Sequence, residues 1–138
     1  MSDEAFTAEE RAAMKERAAE VRKAKSGKTD GLKDVLDKIA EMSGTDKVIA
    51  QRIHEIVTAV APDLTPKTYY GMPGWAKNGK VLVFLQPAEK FKARYATLGV
   101  NDTAMLDDGT MWPTSWAITD MTEAHEKAIA DIVRRAVG

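Results

Sequence analysis

The sequence predicts one α+β domain, in which an antiparallel β-meander is covered by an N-terminal helical hairpin and a C-terminal helix. Apolar residues recur with helical spacing over residues 32–42, and again from Thr45 until Pro62 ends the helix. After Pro66 the spacing becomes that of strands, and over residues 122–137 it is helical once more. Helices followed by successive strands and a last helix are typical of α+β proteins rather than of parallel α/β sheets.

The composition limits the class of protein. The chain has 138 residues, 44% of them hydrophobic and 30% charged, which suits one compact domain. It contains no cysteine, so disulfide frameworks, thiolate zinc sites and cysteine nucleophiles are excluded. No apolar run approaches the roughly 20 residues of a membrane-spanning helix, and residues 1–10 are acidic rather than leader-like. We therefore expect a cytoplasmic protein that does not associate with membranes.

Residues 1–29 are predicted to be a charged helical extension of the domain formed by residues 30–138. Residues 7–10, Thr-Ala-Glu-Glu, have the spacing of a capping box, so a helix should begin there. Its large apolar residues are only Met14 and Val21, which leaves little surface to bury. We therefore expect a peripheral element, joined to the domain by a linker at residues 26–29.

The meander is predicted from short apolar runs separated by turn residues. Asn78-Gly79 is the strongest hairpin signal, because a type I′ turn requires positive φ at both positions. The run 81–85 is apolar throughout, which predicts a central strand covered on both faces. The predicted strands span residues 67–70, 75–77, 80–86, 91–98 and 114–118.

Motifs for catalysis are missing from the sequence. Gly27-Lys28-Thr29 resembles the end of a P-loop, but the upstream glycine is replaced by Arg22. The two histidines, His54 and His125, have no second ligand one helical turn away, and no Gly-x-Ser-x-Gly elbow occurs. We therefore expect no enzyme. The alternative is an acid/base pair assembled by the fold, with Asp102 or Asp120 near Tyr70.

Net positive charge and aromatic residues are concentrated in the middle of the chain. Residues 64–100 carry 6 bases and 1 acid, a net charge of +5, whereas the whole chain carries -1. Eight of the nine aromatic residues lie between residues 69 and 116. One face of the sheet could therefore bind an anionic small molecule or nucleic acid by stacking and charge neutralisation. A pI near 6.1 disfavours a dedicated nucleic-acid binder.

The stretch Tyr70-Gly71-Met72-Pro73-Gly74-Trp75, followed by Asn78-Gly79-Lys80, resembles the YdhG-like family of small bacterial domains of unknown function. The resemblance covers about residues 30–138. It implies a frataxin-like fold, and because some family members are described as intracellular iron chaperones, it implies iron delivery. No iron ligand can be carried over position by position, so the metal-binding residues are unknown. We expect the protein to require no cofactor, although the resemblance implies that it could bind iron.

Together these observations predict a non-catalytic binding domain, a monomer or weak dimer, whose partner is a small ligand or a metal ion. Gly71 is expected to need positive φ or a close approach of another group, and Pro73 to set the chain direction. Met72 and Trp75 could line a cleft, although a structural turn is the favoured interpretation of the motif, because Gly and Pro usually mark loops. The predicted ligand-binding residues are Tyr70, Met72, Pro73, Trp75, Lys80, Lys92, Arg94 and Tyr95.

Overall fold

The structure, a computed structural model, describes residues 6–26 and 31–138. It confirms the α+β class. In the described residues, three helices precede five strands and a fourth helix follows them. The helices are α1 (Ala8–Ser26), α2 (Gly31–Glu41), α3 (Gly44–Val60) and α4 (Glu123–Val137), and the strands are β1 (Thr65–Pro66), β2 (Gly74–Lys77), β3 (Lys80–Gln86), β4 (Ala96–Val100) and β5 (Ser115–Ile118).

The five strands form one antiparallel meander in the order β1-β2-β3-β4-β5. The predicted turn between β2 and β3 is confirmed, because Asn78 and Gly79 have φ values of 53° and 82°. A register shift between Trp75 and Ala76 bends β2 against β3. β3 is the central strand, and this explains why its sequence is a continuous apolar run.

The core forms where α2, α3 and α4 meet the sheet. α3 contributes Ile49, Ile53 and Val57, and α4 contributes Ile129 and Val133, all buried. These positions recur every four residues, so the amphipathic pattern of the sequence corresponds to the buried faces of α3 and α4. Further members of the same cluster come from α2, the strands and the connecting segments, among them Val35, Ile39, Trp75, Leu82, Val83, Leu85, Leu98 and Ile118.

Phe84 packs on a glycine of the neighbouring strand. Its cross-strand partner in β4 is Gly99, and a β-carbon at position 99 would overlap the Phe84 ring. Tyr69 contacts the same ring, with 5.2 Å between ring centroids. The glycine therefore makes room for an aromatic side chain that covers this part of the sheet.

Two helix starts carry capping boxes. The predicted box of α1 is confirmed: Glu10 N donates to Thr7 Oγ1 at 3.0 Å, and Thr7 N donates to Glu10 Oε1 at 2.9 Å. In α4, Thr122 caps the helix and His125 completes the box. None of the helices in the described ranges has the length and apolar character that a transmembrane span requires.

One predicted strand is wrong in its first part, and another is wrong throughout. Residues 91–98 were expected to be extended, but β4 begins only at Ala96, because residues 88–92 form a turn in which Lys92 has a φ of 54°. Residues 67–70 were also expected to form a strand, but β1 is Thr65–Pro66, and Tyr69 only bridges Met72 across a reversal of the chain. The predicted linker begins with Ser26, which belongs to α1, and its residues 27–29, including the P-loop-like motif, lie outside the described residues.

Candidate functional site

The reversal at residues 69–72 presents two successive backbone amides to the same side. Tyr69 N donates to Met72 O at 2.8 Å, and Met72 N donates to Tyr69 O at 2.9 Å. Between them, Tyr70 and Gly71 have φ values of 52° and 75°, both in the left-handed region. Successive amides in such a turn form an anion-binding concavity. Glu20 of α1 fills it, accepting from Tyr70 N at 3.0 Å and from Gly71 N at 2.9 Å.

Gly71 is required at its position for two reasons. Its positive φ is costly for residues with a β-carbon. In addition, a β-carbon at position 71 would overlap the carboxylate of Glu16 from α1, so the end of that side chain would have to move. The predicted need for positive φ or a close approach is therefore confirmed in both respects.

Two lysines complete the polar surroundings of Gly71. Lys90 Nζ donates to Gly71 O at 3.0 Å and lies 2.9 Å from Glu16 Oε1. Lys38 Nζ of α2 donates to Glu16 Oε2 at 2.6 Å. We call the amides of Tyr70 and Gly71 together with the ammonium groups of Lys38 and Lys90 the Gly71 site.

The position of Lys90 depends on a buried carboxylate. Asp46, in the first turn of α3, is only 9% exposed. It accepts hydrogen bonds from Ala88 N at 3.0 Å and Glu89 N at 2.9 Å. A carboxylate that accepts two adjacent amides fixes the path of the turn, and Lys90 is the next residue along the chain.

The charges of the site stabilise one another. Partial burial acts to raise the pKa of Glu16, but the hydrogen bonds and charges of Lys38 and Lys90 outweigh it, so the pKa lies below its ordinary value. Partial burial likewise acts to lower the pKa of Lys38, but Glu16 outweighs it and the pKa lies above its ordinary value. Each group is therefore held in its charged form.

An aromatic pair and a cavity flank the Gly71 site. The Tyr69 and Tyr70 rings meet edge to face with 4.8 Å between centroids. The guanidinium of Arg17 lies 5.6 Å and 5.5 Å from these two ring centroids, within the range of a cation–π contact. On another side lies a cavity of about 300 Å³. Its lining residues are Lys38, Glu41, Met42, Ser43, Asp46, Gly71, Pro87, Glu89 and Lys90.

Helix α1 is held on the domain mainly by charged and polar groups. Among its described side chains only Ala13 is buried, whereas Met14 and Val21 are 43% and 38% exposed. Beyond the contacts of Glu16 and Glu20, Glu9 pairs with Lys92 at 2.9 Å. The prediction that this helix has little apolar surface to bury is confirmed.

The predicted site residues around the motif divide into two groups. The Tyr70 amide belongs to the Gly71 site, and Lys92 lies nearby, paired with α1. Met72 and Pro73 are buried in the loop, and Trp75 is 1% exposed. The Trp75 indole donates to the ring nitrogen Nδ1 of His54 at 3.2 Å, which places it in the core rather than at a surface cleft.

Among the other predicted site residues, Lys80 lies away from the Gly71 site. Lys80 begins β3, whereas Lys90 lies beyond its end, and seven residues of strand separate the two ends by about 20 Å. The Arg94 guanidinium lies over the Tyr95 ring, 5.3 Å from its centroid. The fold therefore distributes the basic residues of the middle segment between two ends of the sheet.

The sequence did not indicate Lys38, Lys90, Glu16 or Glu20 as members of one site. Lys38 lies outside the apolar spacing of α2, and its side chain pairs with Glu16. Glu20 and Tyr70 are 50 positions apart in the chain, so no local pattern joins them. One feature of the sequence did point to the site. Gly71 was expected to allow another group to approach closely, and in the structure Glu16 of α1 does so.

The structure does not bring the acids of the enzyme alternative to Tyr70. Asp102 follows β4, next to Asn101, whose side chain bonds Val81 O at the beginning of β3. Asp120 follows β5, whereas Tyr70 lies in the loop before β2. These two strands are three positions apart in the sheet, so about 14 Å separates them. Within residues 6–26 and 31–138, no group of three His, Asp or Glu side chains could hold a metal ion.

Comparisons of the chain with protein-family models, with curated proteins and with solved structures found no match.

Proposed function

We propose that this protein is a binding domain for a small anion, which it takes up at the Gly71 site. One observation carries the proposal: the site already holds two carboxylates, those of Glu16 and Glu20, on two backbone amides and two ammonium groups. Backbone amides in a left-handed turn and lysine ammonium groups are the donors that proteins use for carboxylates and phosphates. A ligand that carries such oxygens would meet the same donors.

The site supports binding rather than reaction. Its donors are amides and ammonium groups, and no histidine or hydroxyl nucleophile is among its members. As part of this proposal, we expect the protein to be a non-catalytic, cytoplasmic domain. We also expect its α+β elements to have a frataxin-like arrangement.

The dimensions of the site favour a small molecule over nucleic acid. Glu16 and Glu20 are one helical turn apart, so their side chains start about 6 Å from each other. The adjoining cavity, about 300 Å³, has the size of a small-molecule pocket. A nucleic-acid backbone would need a longer basic track, whereas Lys80 and Lys90 lie at opposite ends of β3.

Titration of the isotope-labelled full chain with citrate and with inorganic pyrophosphate tests the proposal. We expect the amide signals of Tyr70 and Gly71 to shift first, and Lys90→Gln to weaken binding at least about tenfold, because a charge-assisted hydrogen bond is lost. Lys127→Gln, which removes the same charge from the exposed face of α4, is the matched control. Shifts that map to Lys80, or binding of an oligonucleotide but of neither small anion, would overturn the proposal.

Iron delivery stays a prediction based on the resemblance. An anaerobic titration of the same labelled protein with ferrous iron tests it, since bound paramagnetic iron broadens the signals of nearby amides. Selective broadening over residues 102–126 or 32–42 would locate iron ligands, and intact signals at millimolar iron would contradict the prediction.

A further inference from the structure

We infer that helix α1 is a tethered pseudo-ligand of the Gly71 site, whose Glu16 and Glu20 imitate a ligand with two anionic groups and compete with it. The inference rests on the proposed function, and it adds the class of ligand and the way in which access is controlled.

Bound α1 and a bound anion exclude each other. Each backbone amide has one hydrogen, and the hydrogens of Tyr70 N and Gly71 N are both donated to Glu20. The Glu16 carboxylate lies against Gly71 and between the ammonium groups of Lys38 and Lys90. A ligand can therefore reach the complete set of donors only after α1 has left.

The attachment of α1 suits a helix that detaches. Among its described side chains it buries only Ala13, and it adds no residue to the main apolar cluster. Besides the cation–π contacts of Arg17 with Tyr69 and Tyr70, α1 makes ion pairs and hydrogen bonds at partly exposed side chains. Such ion pairs contribute little individually and are screened by salt. The domain beneath has its own core, built from α2, α3, α4 and the sheet.

The two carboxylates also indicate the ligand class. Because the carboxylates of Glu16 and Glu20 both reach Gly71, the best competitor carries two carboxylate or phosphate groups on one short spacer. A tethered competitor lowers the apparent affinity by the fraction of molecules in which the site is open. A monoanion engages only half of the donors and so displaces α1 poorly.

The first experiment compares the full-length protein with the variant Glu16→Gln/Glu20→Gln, using citrate and acetate as probes. We expect citrate to bind the variant about tenfold more tightly, as for a site that is open in about one molecule in ten. Citrate should also bind at least tenfold more tightly than acetate. Asp63→Asn/Asp107→Asn removes the same charge at exposed turn residues and should bind citrate like the original protein.

The outcomes separate the two proposals. Equal citrate affinity of the original protein and the Glu16→Gln/Glu20→Gln variant would overturn the competition by α1 and leave the anion site standing. No citrate binding to either, in variants that melt normally, would overturn the proposed function and the inference with it. Citrate binding that shifts amides elsewhere would do the same.

A second experiment observes the displacement directly. The chain has no cysteine, so Ala18→Cys allows one nitroxide label on the exposed side of α1. In the free protein the label should broaden the amide signals around Gly71 and Lys90, and saturating citrate should restore them. The reduced, diamagnetic label is the control. Broadening that persists while citrate shifts the Tyr70 amide would show that both bind together and would overturn the inference.

Discussion

The carboxylate of Glu16 occupies the space that a β-carbon on residue 71 would need. A helix with almost no buried apolar surface is thereby seated on the one residue of the loop that lacks a side chain. The contact joins α1 to the domain at the same point where Gly71 donates to Glu20 and accepts from Lys90. The seating of α1 and the shape of the candidate site therefore depend on the same glycine.

Gly71→Ala is expected to separate α1 from the domain. The added methyl group overlaps Glu16, and alanine at a φ of 75° costs about 1–2 kcal/mol of backbone strain. We expect loss of the nitroxide broadening described above and a lower free energy of unfolding, measured by urea denaturation.

Gly79→Ala is the matched control for Gly71→Ala. Gly79 has a φ of 82°, but nothing lies within 4 Å of an added β-carbon. Gly79→Ala should therefore lower the free energy of unfolding by a similar amount, while α1 stays on the domain. Equal effects of both substitutions on α1 would contradict the role given to Gly71.

Asp46→Ala is expected to destabilise the fold and displace Lys90. The substitution leaves the amides of Ala88 and Glu89 without their acceptor, at a cost of about 1–3 kcal/mol. Urea denaturation gives the free energy of unfolding, and the amide signal of Lys90 reports the turn. Asp63→Ala, at an exposed turn position, should change neither quantity, and an unchanged Lys90 signal in Asp46→Ala would contradict the prediction.

His54 is expected to make stability depend on pH. Burial lowers the pKa of His54, and its Nδ1 accepts from the Trp75 indole, so the folded protein favours the neutral ring. As the pH falls through the unfolded value of about 6.5, the unfolded chain binds the proton more readily and stability decreases.

The measurement for His54 is the melting temperature between about pH 8 and pH 5, a range that brackets the ordinary histidine pKa. His54→Gln keeps an acceptor for Trp75 but cannot titrate, so its melting temperature should fall less over this range. His125 is present in both proteins, so its contribution cancels in the comparison. Parallel curves for the two proteins would rule out the predicted effect.

Gly99→Ala is expected to destabilise the sheet by about 1–3 kcal/mol, because the new methyl group overlaps the Phe84 ring. Phe84→Leu removes the ring, so the double variant should lose less stability than the sum of the two single variants. A double-mutant cycle in urea measures this coupling, and strict additivity would show that the two residues do not interact as the structure indicates.

Local patterns were sufficient to predict most of the fold. The capping box at Thr7 and Glu10 and the hairpin turn at Asn78-Gly79 depend on residues within one or two turns of chain, so both are visible in the sequence. The apolar spacing of α3 and α4 likewise predicted which side of each helix is buried. In α2 the spacing was only partly informative, because Val35 and Ile39 are buried whereas Leu32 and Leu36 are exposed. The segment 91–98 failed because its alternating pattern resembles a strand, whereas Asp46, 42 residues before Ala88, holds the preceding turn.

The sequence by itself determined the helices, the β2–β3 hairpin and the special position of Gly71, since each follows from local spacing or from the conformational range of one residue. Only the tertiary structure decided the candidate site. It brings Lys38, Lys90 and two carboxylates of α1 to Gly71 from segments separated by 19 to 51 residues. The spacing of charged residues in the sequence does not predict these contacts, because which charged groups pair depends on which ones the fold brings close together.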